Sequence, residues 1–206
     1  MIAIIDYEVG NIKNVYKAFK SLDLDVVVTA DKEVINKSST IILPGVGAFK
    51  DAMDNLKKYD LVDCIKENVR SGKLIFGICL GMQLLFENGY EDGQWEGLGL
   101  LEGDIVRFEG DLFESDLKVP HMGWNGLIKA REDEIAKDIT EGEYVYFVHS
   151  YYLKPGNEED VVFWTDYGVR VPAVVRKNNI VGMQFHPEKS GKTGMKLLEN
   201  IKEMIG

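Results

Sequence analysis

The sequence is short of the residues that would make it disulfide-framed, linker-bearing or membrane-embedded. It holds two cysteines, five prolines and three histidines in 206 residues. Cys64 and Cys79 lie far apart, so no disulfide framework is on offer, and a reduced, cytoplasmic setting is the expectation. Five prolines against 21 glycines leave tight turns plentiful but no proline-rich linker. No apolar run approaches the ~18 residues that span a bilayer, and no basic stretch followed by a long apolar one opens the chain. Basic residues are outnumbered 24 to 34, a net charge of −10. Nucleic-acid binding depends on neutralising phosphates, so no such partner is expected, and a multiply phosphorylated substrate is an awkward ligand for the same reason. Nowhere do His, Cys and carboxylates cluster at metal-ligand spacing, so no metal is expected.

What is present is the composition of a folded protein, 45% hydrophobic and 28% charged. Without repeats, low-complexity tracts or linkers, residues 1–206 read as one domain. The first half alternates short apolar runs with helical periodicity. Residues 1–5, 26–28, 40–43 and 74–76 read as buried strands, being too short for helices and rich in β-branched residues. Ile12, Val15, Phe19 and Leu22 recur on one face of a helix. A long amphipathic stretch carries Phe49, Met53, Leu56, Leu61, Ile65 and Val69 and stops at Gly72. Met82 to Phe86 opens a further helix. This βαβα rhythm predicts an α/β fold with a mostly parallel central sheet flanked by helices. The second half is strand-rich, with runs at 105–108, 143–147, 161–164, 173–176 and 180–183. These are expected to extend the sheet with antiparallel members, the last two joined by an Asn178-Asn179 hairpin. Residues 89–103 read as a loop, and 191–205 as a closing helix.

The chemistry concentrates at Gly77-Ile78-Cys79-Leu80-Gly81, between a buried strand and a helix. A G-x-nucleophile-x-G turn in that position holds its central side chain in a strained bend above the sheet. At a helix N-terminus the cysteine is favoured as thiolate, and the Leu80 N–H is aimed at an oxyanion. A buried structural cysteine beside a chance glycine would give the same five residues. Cysteine chemistry needs a base. His186 follows the last strand at what should be the same carboxyl edge, and Glu188 stands where it could orient the ring. A lone His before Pro is otherwise an ordinary surface turn residue. Pro44-Gly45-Val46-Gly47 ends another strand at that edge, where a second backbone donor for an oxyanion could come from Val46 or Gly47. A cysteine peptidase or esterase would present a similar elbow. Two decoys fall away. Gly191-Lys192-Thr193 lacks the glycine a phosphate loop needs five positions earlier, and Gly97, Gly99 and Gly103 miss the dinucleotide spacing. Cys64, between Leu61 and Ile65, reads as packing. The pattern is covalent catalysis with no cofactor.

Gly-Ile-Cys79-Leu-Gly-Met-Gln83 with a distant Gln-Phe-His186-Pro-Glu188 resembles the class I, triad-type glutamine amidotransferases. Further segments are similar to one branch of that family, the glutaminase subunits of imidazole glycerol phosphate synthases in histidine biosynthesis. They are Asp6 to Val15, Pro44 to Phe49, His121-Met-Gly-Trp-Asn125, Tyr146 to Tyr152 and Pro187 to Ser190. The resemblance covers almost the whole chain. It implies Cys79 as nucleophile, His186 as acid and base, Glu188 as its orienting partner, and Leu80 with Val46 or Gly47 as oxyanion donors. It also implies Gln83, Glu91, Ser150 and Tyr151 as glutamine-binding positions, and a cyclase subunit as the partner that receives ammonia. In this branch Val46 stands where glycine is usual, which implies a turn that reorients when the partner binds. Glu8 and Asn14 depart from the small residue and the serine usual there. Trp124, His121, Asn125 and Lys189 are the candidates for a docking face, although a core aromatic after a turn would explain Trp124 as well.

Overall fold

The structure is a computed structural model, and it describes residues 1–109 and 117–206. The first 79 residues build four parallel strands. In chain order the elements are β1 (Ile2–Ile5), α1 (Ile12–Lys20), β2 (Val26–Thr29), α2 (Lys32–Lys37), β3 (Thr40–Gly45), α3 (Phe49–Lys58), α4 (Val62–Arg70), β4 (Leu74–Cys79) and α5 (Leu80–Gln83). Alternate residues of the strands serve opposite layers, as the strand's period of two requires. Ile2 and Ile4 face Val15 and Phe19 of α1, whereas Ala3 and Ile5 share a cluster with Met53, Leu56, Ile65 and Val69 of α3 and α4.

The long amphipathic stretch is two helices, not one. Asp60 takes a left-handed conformation at φ 55°, which an α-helix cannot continue through. The step from Leu56 to Leu61, one residue longer than a helical repeat, was its visible sign. The run from Met82 is likewise no long helix. α5 ends at Gln83, and Leu84, Leu85 and Phe86 are all buried in the turns that follow.

The second half continues with β5 (Asn88–Gly89), β6 (Trp95–Glu96), β7 (Gly103–Arg107), β8 (His121–Gly126), β9 (Ile128–Lys129), β10 (Tyr144–His149), β11 (Tyr151–Pro155), β12 (Val161–Asp166), β13 (Arg170–Lys177), β14 (Ile180–Met183) and α6 (Gly191–Ile205). The main sheet has the order β2-β1-β3-β4-β14-β13-β12-β9. Its parallel half meets its antiparallel half at β4 and β14, which run parallel in the register Gly182↔Gly77 and Met183↔Ile78. The β13–β14 hairpin turns at Asn178, φ 54°, as the Asn-Asn pair predicts.

Two of the expected extensions leave this sheet. β10 pairs antiparallel with β8, and β7 joins β11, β5 and β6 in a third sheet. Pairing partners depend on which apolar faces meet in three dimensions, and β8, with two glycines in six residues, carries a weak strand signal. The expected loop at 89–103 contributes only the short β5 and β6. The α/β fold class itself is as expected. No helix among the described residues is long and apolar enough to cross a membrane.

Candidate active site

Because β3, β4 and β14 are parallel, their carboxyl ends emerge side by side. Cys79 closes β4 and stands immediately before α5, at φ 55° and ψ −114°, a backbone conformation that side-chain-bearing residues rarely hold. The flanking glycines are needed for contact with other backbone. A Cβ on Gly77 would stand 2.7 Å from the Gly81 carbonyl oxygen, and one on Gly81 would stand 1.8 Å from that of Leu43. Strand, elbow and helix are thus in backbone contact with the end of β3.

That end is Pro44-Gly45-Val46-Gly47. Gly45 pairs with Cys79, Val46 is 40% exposed, and Gly47 holds φ 101°. The Tyr7 hydroxyl, fully buried, donates to the Pro44 carbonyl at 2.5 Å and fixes the approach to the turn. Burial, with the nearby Cys79 sulfur adding to it, pushes the Tyr7 pKa up and keeps that donor protonated.

His186 lies three residues beyond β14. Its backbone N–H donates to the Tyr146 carbonyl at 3.1 Å, and its own carbonyl accepts from the Ser190 hydroxyl at 2.6 Å. The ring's Nδ1 is 2.9 Å from Glu188 Oε1, and both side chains are buried. Nε2 is buried with no hydrogen-bond partner. Burial works against a charge on this ring, but the Cys79 sulfur and the Glu188 carboxylate outweigh it and raise the pKa to about 9. The cysteine itself is 6% exposed, with Sγ 3.9 Å from the Val148 carbonyl and 4.0 Å from Gln184 Nε2.

Around them is a cavity of about 350 Å³. Val46, Gly47, Cys79, Leu80 and Gln83 line it from the parallel half, and Glu91, Ser150, Tyr151, His186 and Lys189 from the other. The structure therefore gathers Cys79, His186, every candidate oxyanion donor and every candidate glutamine contact around one space. Glu188 stands directly behind His186. One Glu91 oxygen accepts from the Phe49 N–H at 2.7 Å, which ties this carboxylate to the start of α3. Gln83 Nε2 donates to the Tyr151 carbonyl and to Gln184 Oε1, both at 3.0 Å.

The docking candidates separate. Trp124 is 55% exposed, edge-on to Tyr146, with exposed Met122 and Tyr144 on the same two-stranded sheet. A core position for Trp124 is thus excluded in this chain. Lys189 is exposed at the cavity. His121 is corrected: it is 2% exposed, stacked between Phe147 and Tyr167, and offers a partner no side-chain surface. Asn125 is half-buried and donates to the Asp166 carbonyl at 2.8 Å. Along β8, residues 121 and 125 share one face and 122 and 124 the other, so the four could not all point outwards.

Sequence reasoning did not single out Tyr7, His149 or Gln184. Tyr7 and Gln184 each lie one or two residues past a parallel strand, which was their signal. His149 lines the cavity between Val148 and Ser150. The Glu8 departure has a local explanation. At φ 63°, its carboxylate accepts from Lys58 at 2.9 Å and from the Tyr59 hydroxyl at 2.5 Å. Nothing in the structure explains Asn14. Among the described residues no group of three or more His, Cys, Asp or Glu could hold a metal ion.

A strained cysteine before a helix, a buried His–Glu pair and adjoining backbone turns are the arrangement that a cysteine-dependent hydrolytic site of the elbow type requires. The chain belongs to the glutamine amidotransferase class-I family, whose model matches residues 3–204. Within that family it is similar to proteins named imidazole glycerol phosphate synthase subunit HisH. The one from Oceanobacillus iheyensis is 49% identical, with the whole of both chains covered. That from Geobacillus thermodenitrificans is 50% identical over all of this chain and 96% of the relative, and that from Aquifex aeolicus 46% over 97% and 94%. Among solved structures, one titled as a glutamine amidotransferase superposes with a TM-score of 0.77 at 18% identity, covering all of both chains. The Thermotoga maritima PurLQS structure gives 0.74 at 21%, over all of this chain and 98% of that one. At those identities the structures establish the fold.

Proposed function

We propose that the cavity at Cys79 is the glutaminase site of an imidazole glycerol phosphate synthase. The chain is the glutaminase subunit, acting in histidine biosynthesis by hydrolysing glutamine to glutamate and supplying ammonia to a cyclase subunit. The Cys79 sulfur attacks the carboxamide carbon of glutamine. The oxyanion that forms is held by the Leu80 N–H and by an N–H of Val46 or Gly47. His186, proton-bearing beside Glu188, hands its proton to the departing nitrogen, and ammonia leaves a cysteinyl thioester. The neutral ring then takes a proton from water, which attacks the thioester, releases glutamate and restores the thiol. Gln83, Glu91, Ser150 and Tyr151 hold the substrate's amino-acid end.

The observation that carries this reading is the convergence of Cys79 with the His186–Glu188 pair in one cavity, within a chain similar to such subunits from end to end. Freed ammonia is useful only if it reaches its acceptor before water does, so a second subunit closing over the cavity is the direct solution. The relatives are named as subunits, and this chain, at −10, has no evident cradle for a bisphosphorylated substrate. The partner is therefore the cyclase, docked on the face bearing Met122, Trp124 and Tyr144, with Lys189 at the cavity mouth. Val46 and Gly47 form the turn that reorients on docking. The setting is the cytoplasm.

The test uses the complex with the cyclase. Cys79→Ala should lower glutamine-driven synthesis by more than about 1,000-fold while leaving ammonia-driven synthesis intact. Loss of both activities, or of neither, contradicts the proposal.

A further inference from the structure

We infer that Asn125, His121 and His149 form a one-way hydrogen-bond relay that positions the Tyr151 carbonyl and Gln83 in the cavity wall, making both histidines positioning residues for glutamine binding. The inference rests on the glutaminase reading for what the cavity binds, and on distances for the relay itself. His149 Nδ1 is 2.8 Å from the Tyr151 carbonyl oxygen. Carbonyl oxygens only accept, so that nitrogen carries the proton. In a neutral ring Nε2 is then an acceptor, and His121 Nδ1 stands 3.0 Å from it. His121 must therefore be the donor at Nδ1, which leaves its own Nε2 accepting, 3.4 Å from the Asn125 side-chain amide. Each assignment forces the next.

A charge on either ring would break the chain, because a protonated imidazole donates from both nitrogens. A charged His149 would set two N–H groups facing each other across the 3.0 Å contact, and a charged His121 would do so across the 3.4 Å contact with the Asn125 amide. The surroundings keep both rings neutral. Burial pulls His121 down to about 4, and burial together with His121 pulls His149 down to about 3. Ring orientation is fixed by packing: His121 stacks on Phe147 at 4.6 Å and on Tyr167 at 3.9 Å between ring centroids.

At its inner end the relay meets the substrate wall. The Tyr151 carbonyl accepts from both His149 and Gln83, and Gln83 spends its second N–H on Gln184. With both hydrogens committed, Gln83 offers the cavity an acceptor, Oε1. That suits a ligand presenting an ammonium or amide N–H, and it discriminates against one presenting a second acceptor. At its outer end the relay begins on β8, the strand whose other face carries exposed Met122 and Trp124.

Two measurements test it on the full chain, with the partner subunit added for kinetics. Nitrogen-15 NMR of the imidazoles at pH 7 should show His121 and His149 as neutral Nδ1–H tautomers. An Nε2–H tautomer or a charged ring at either position overturns the relay. Second, His149→Leu should raise the KM for glutamine about tenfold while kcat stays within about threefold, since what is lost is a group that holds substrate-binding atoms. His149→Asn, which keeps an N–H near the Nδ1 position, should recover most of that KM. An unchanged KM in the leucine variant, or no recovery with asparagine, overturns the positioning role. If the leucine variant does not fold, the asparagine variant and the tautomers decide. A wild-type chain that binds no glutamine contradicts the glutaminase reading, and the NMR result still judges the relay.

Discussion

The two halves of the molecule reach the same cavity by different routes. Strands β1, β3 and β4 are parallel and buried on both faces, and their carboxyl ends deliver Tyr7, the Pro44–Gly47 turn and Cys79 to one edge by topology alone. The second half splits over three sheets; its one parallel strand, β14, brings His186 to the same edge, and cross-links fix that residue and the wall at 148–151: Ser190 to His186 and Tyr146, His149 to Tyr151, and Gln83 to Gln184. Where topology positions the chemistry, backbones touch, and side-chain volume is the sensitive variable. Where cross-links position it, individual hydrogen bonds are.

The harshest way to break that comparison is a methyl group in each half. Gly81→Ala places a Cβ against the Leu43 carbonyl, a backbone atom that cannot move without displacing β3. Stability is expected to fall by more than about 3 kcal/mol, or the soluble protein to be lost, with glutaminase activity abolished. Gly142→Ala, in the turn before β10, meets no atom within 4 Å and has only its φ of 87° to oppose it. A cost of about 1 kcal/mol with activity retained is expected there. Denaturant midpoints of the two variants make the comparison, and equal losses would mean that the Leu43 contact does not set the cost at Gly81.

A gentler break asks whether the second half's stability is separable from its chemistry. Asp133, 5% exposed, accepts from Arg131 at 2.6 Å, from Arg176 at 2.7 Å and from the Ile135 N–H at 3.1 Å, among residues that do not line the cavity. Desolvation opposes its charge, but Arg176, the Ile135 N–H and Arg131 prevail and hold the carboxyl below its usual range. A lowered carboxylate value stabilises the fold above the ordinary carboxylate range, and that contribution is lost as pH falls through the folded value. Asp133→Asn should therefore cost about 2–4 kcal/mol near neutral pH and flatten the acid limb of the stability curve. Its kcat/KM for glutamine should stay within about twofold. A large drop in kcat/KM with stability unchanged would reverse the roles assigned to the network.

Legibility in the sequence follows the same division. Parallel strands are buried on both faces and so read as unbroken apolar runs, which is why β1, β3 and β4 are visible from residues alone. The elbow is visible because its glycines are obligatory. β8 was not legible: His121-Met-Gly-Trp-Asn-Gly has no alternation that marks a strand, and its partner β10 is chosen by tertiary packing. That gap misplaced His121, since a strand reading would have set it opposite Trp124. Tyr7 and Gln184 had only their places just past a parallel strand to mark them, because their roles consist of hydrogen bonds to backbone and to another amide, which demand no particular motif.

The sharpest test joins the two halves where the Cys79 sulfur meets the His186–Glu188 pair. His186 is raised from an ordinary value near 6.5 to about 9, against the pull of burial, by Cys79 from one half and Glu188 from its own. A raised histidine stabilises the fold below its unfolded value, and that contribution is lost as pH rises through 9. In the proposed mechanism His186 gives its proton to the departing nitrogen, and that proton disappears over the same range, so kcat/KM for glutamine should fall as pH rises through about 9. Glu188→Gln keeps the shape and a hydrogen-bond acceptor but removes the charge, leaving Cys79 alone to oppose burial. The alkaline limb should then move down by ~1 pH unit, with the rate below it only moderately reduced. A limb that stays in place would mean that the parallel half, through the Cys79 sulfur, sets the proton affinity of the base by itself. A limb that moves means that neither half of this molecule holds a working site without the other.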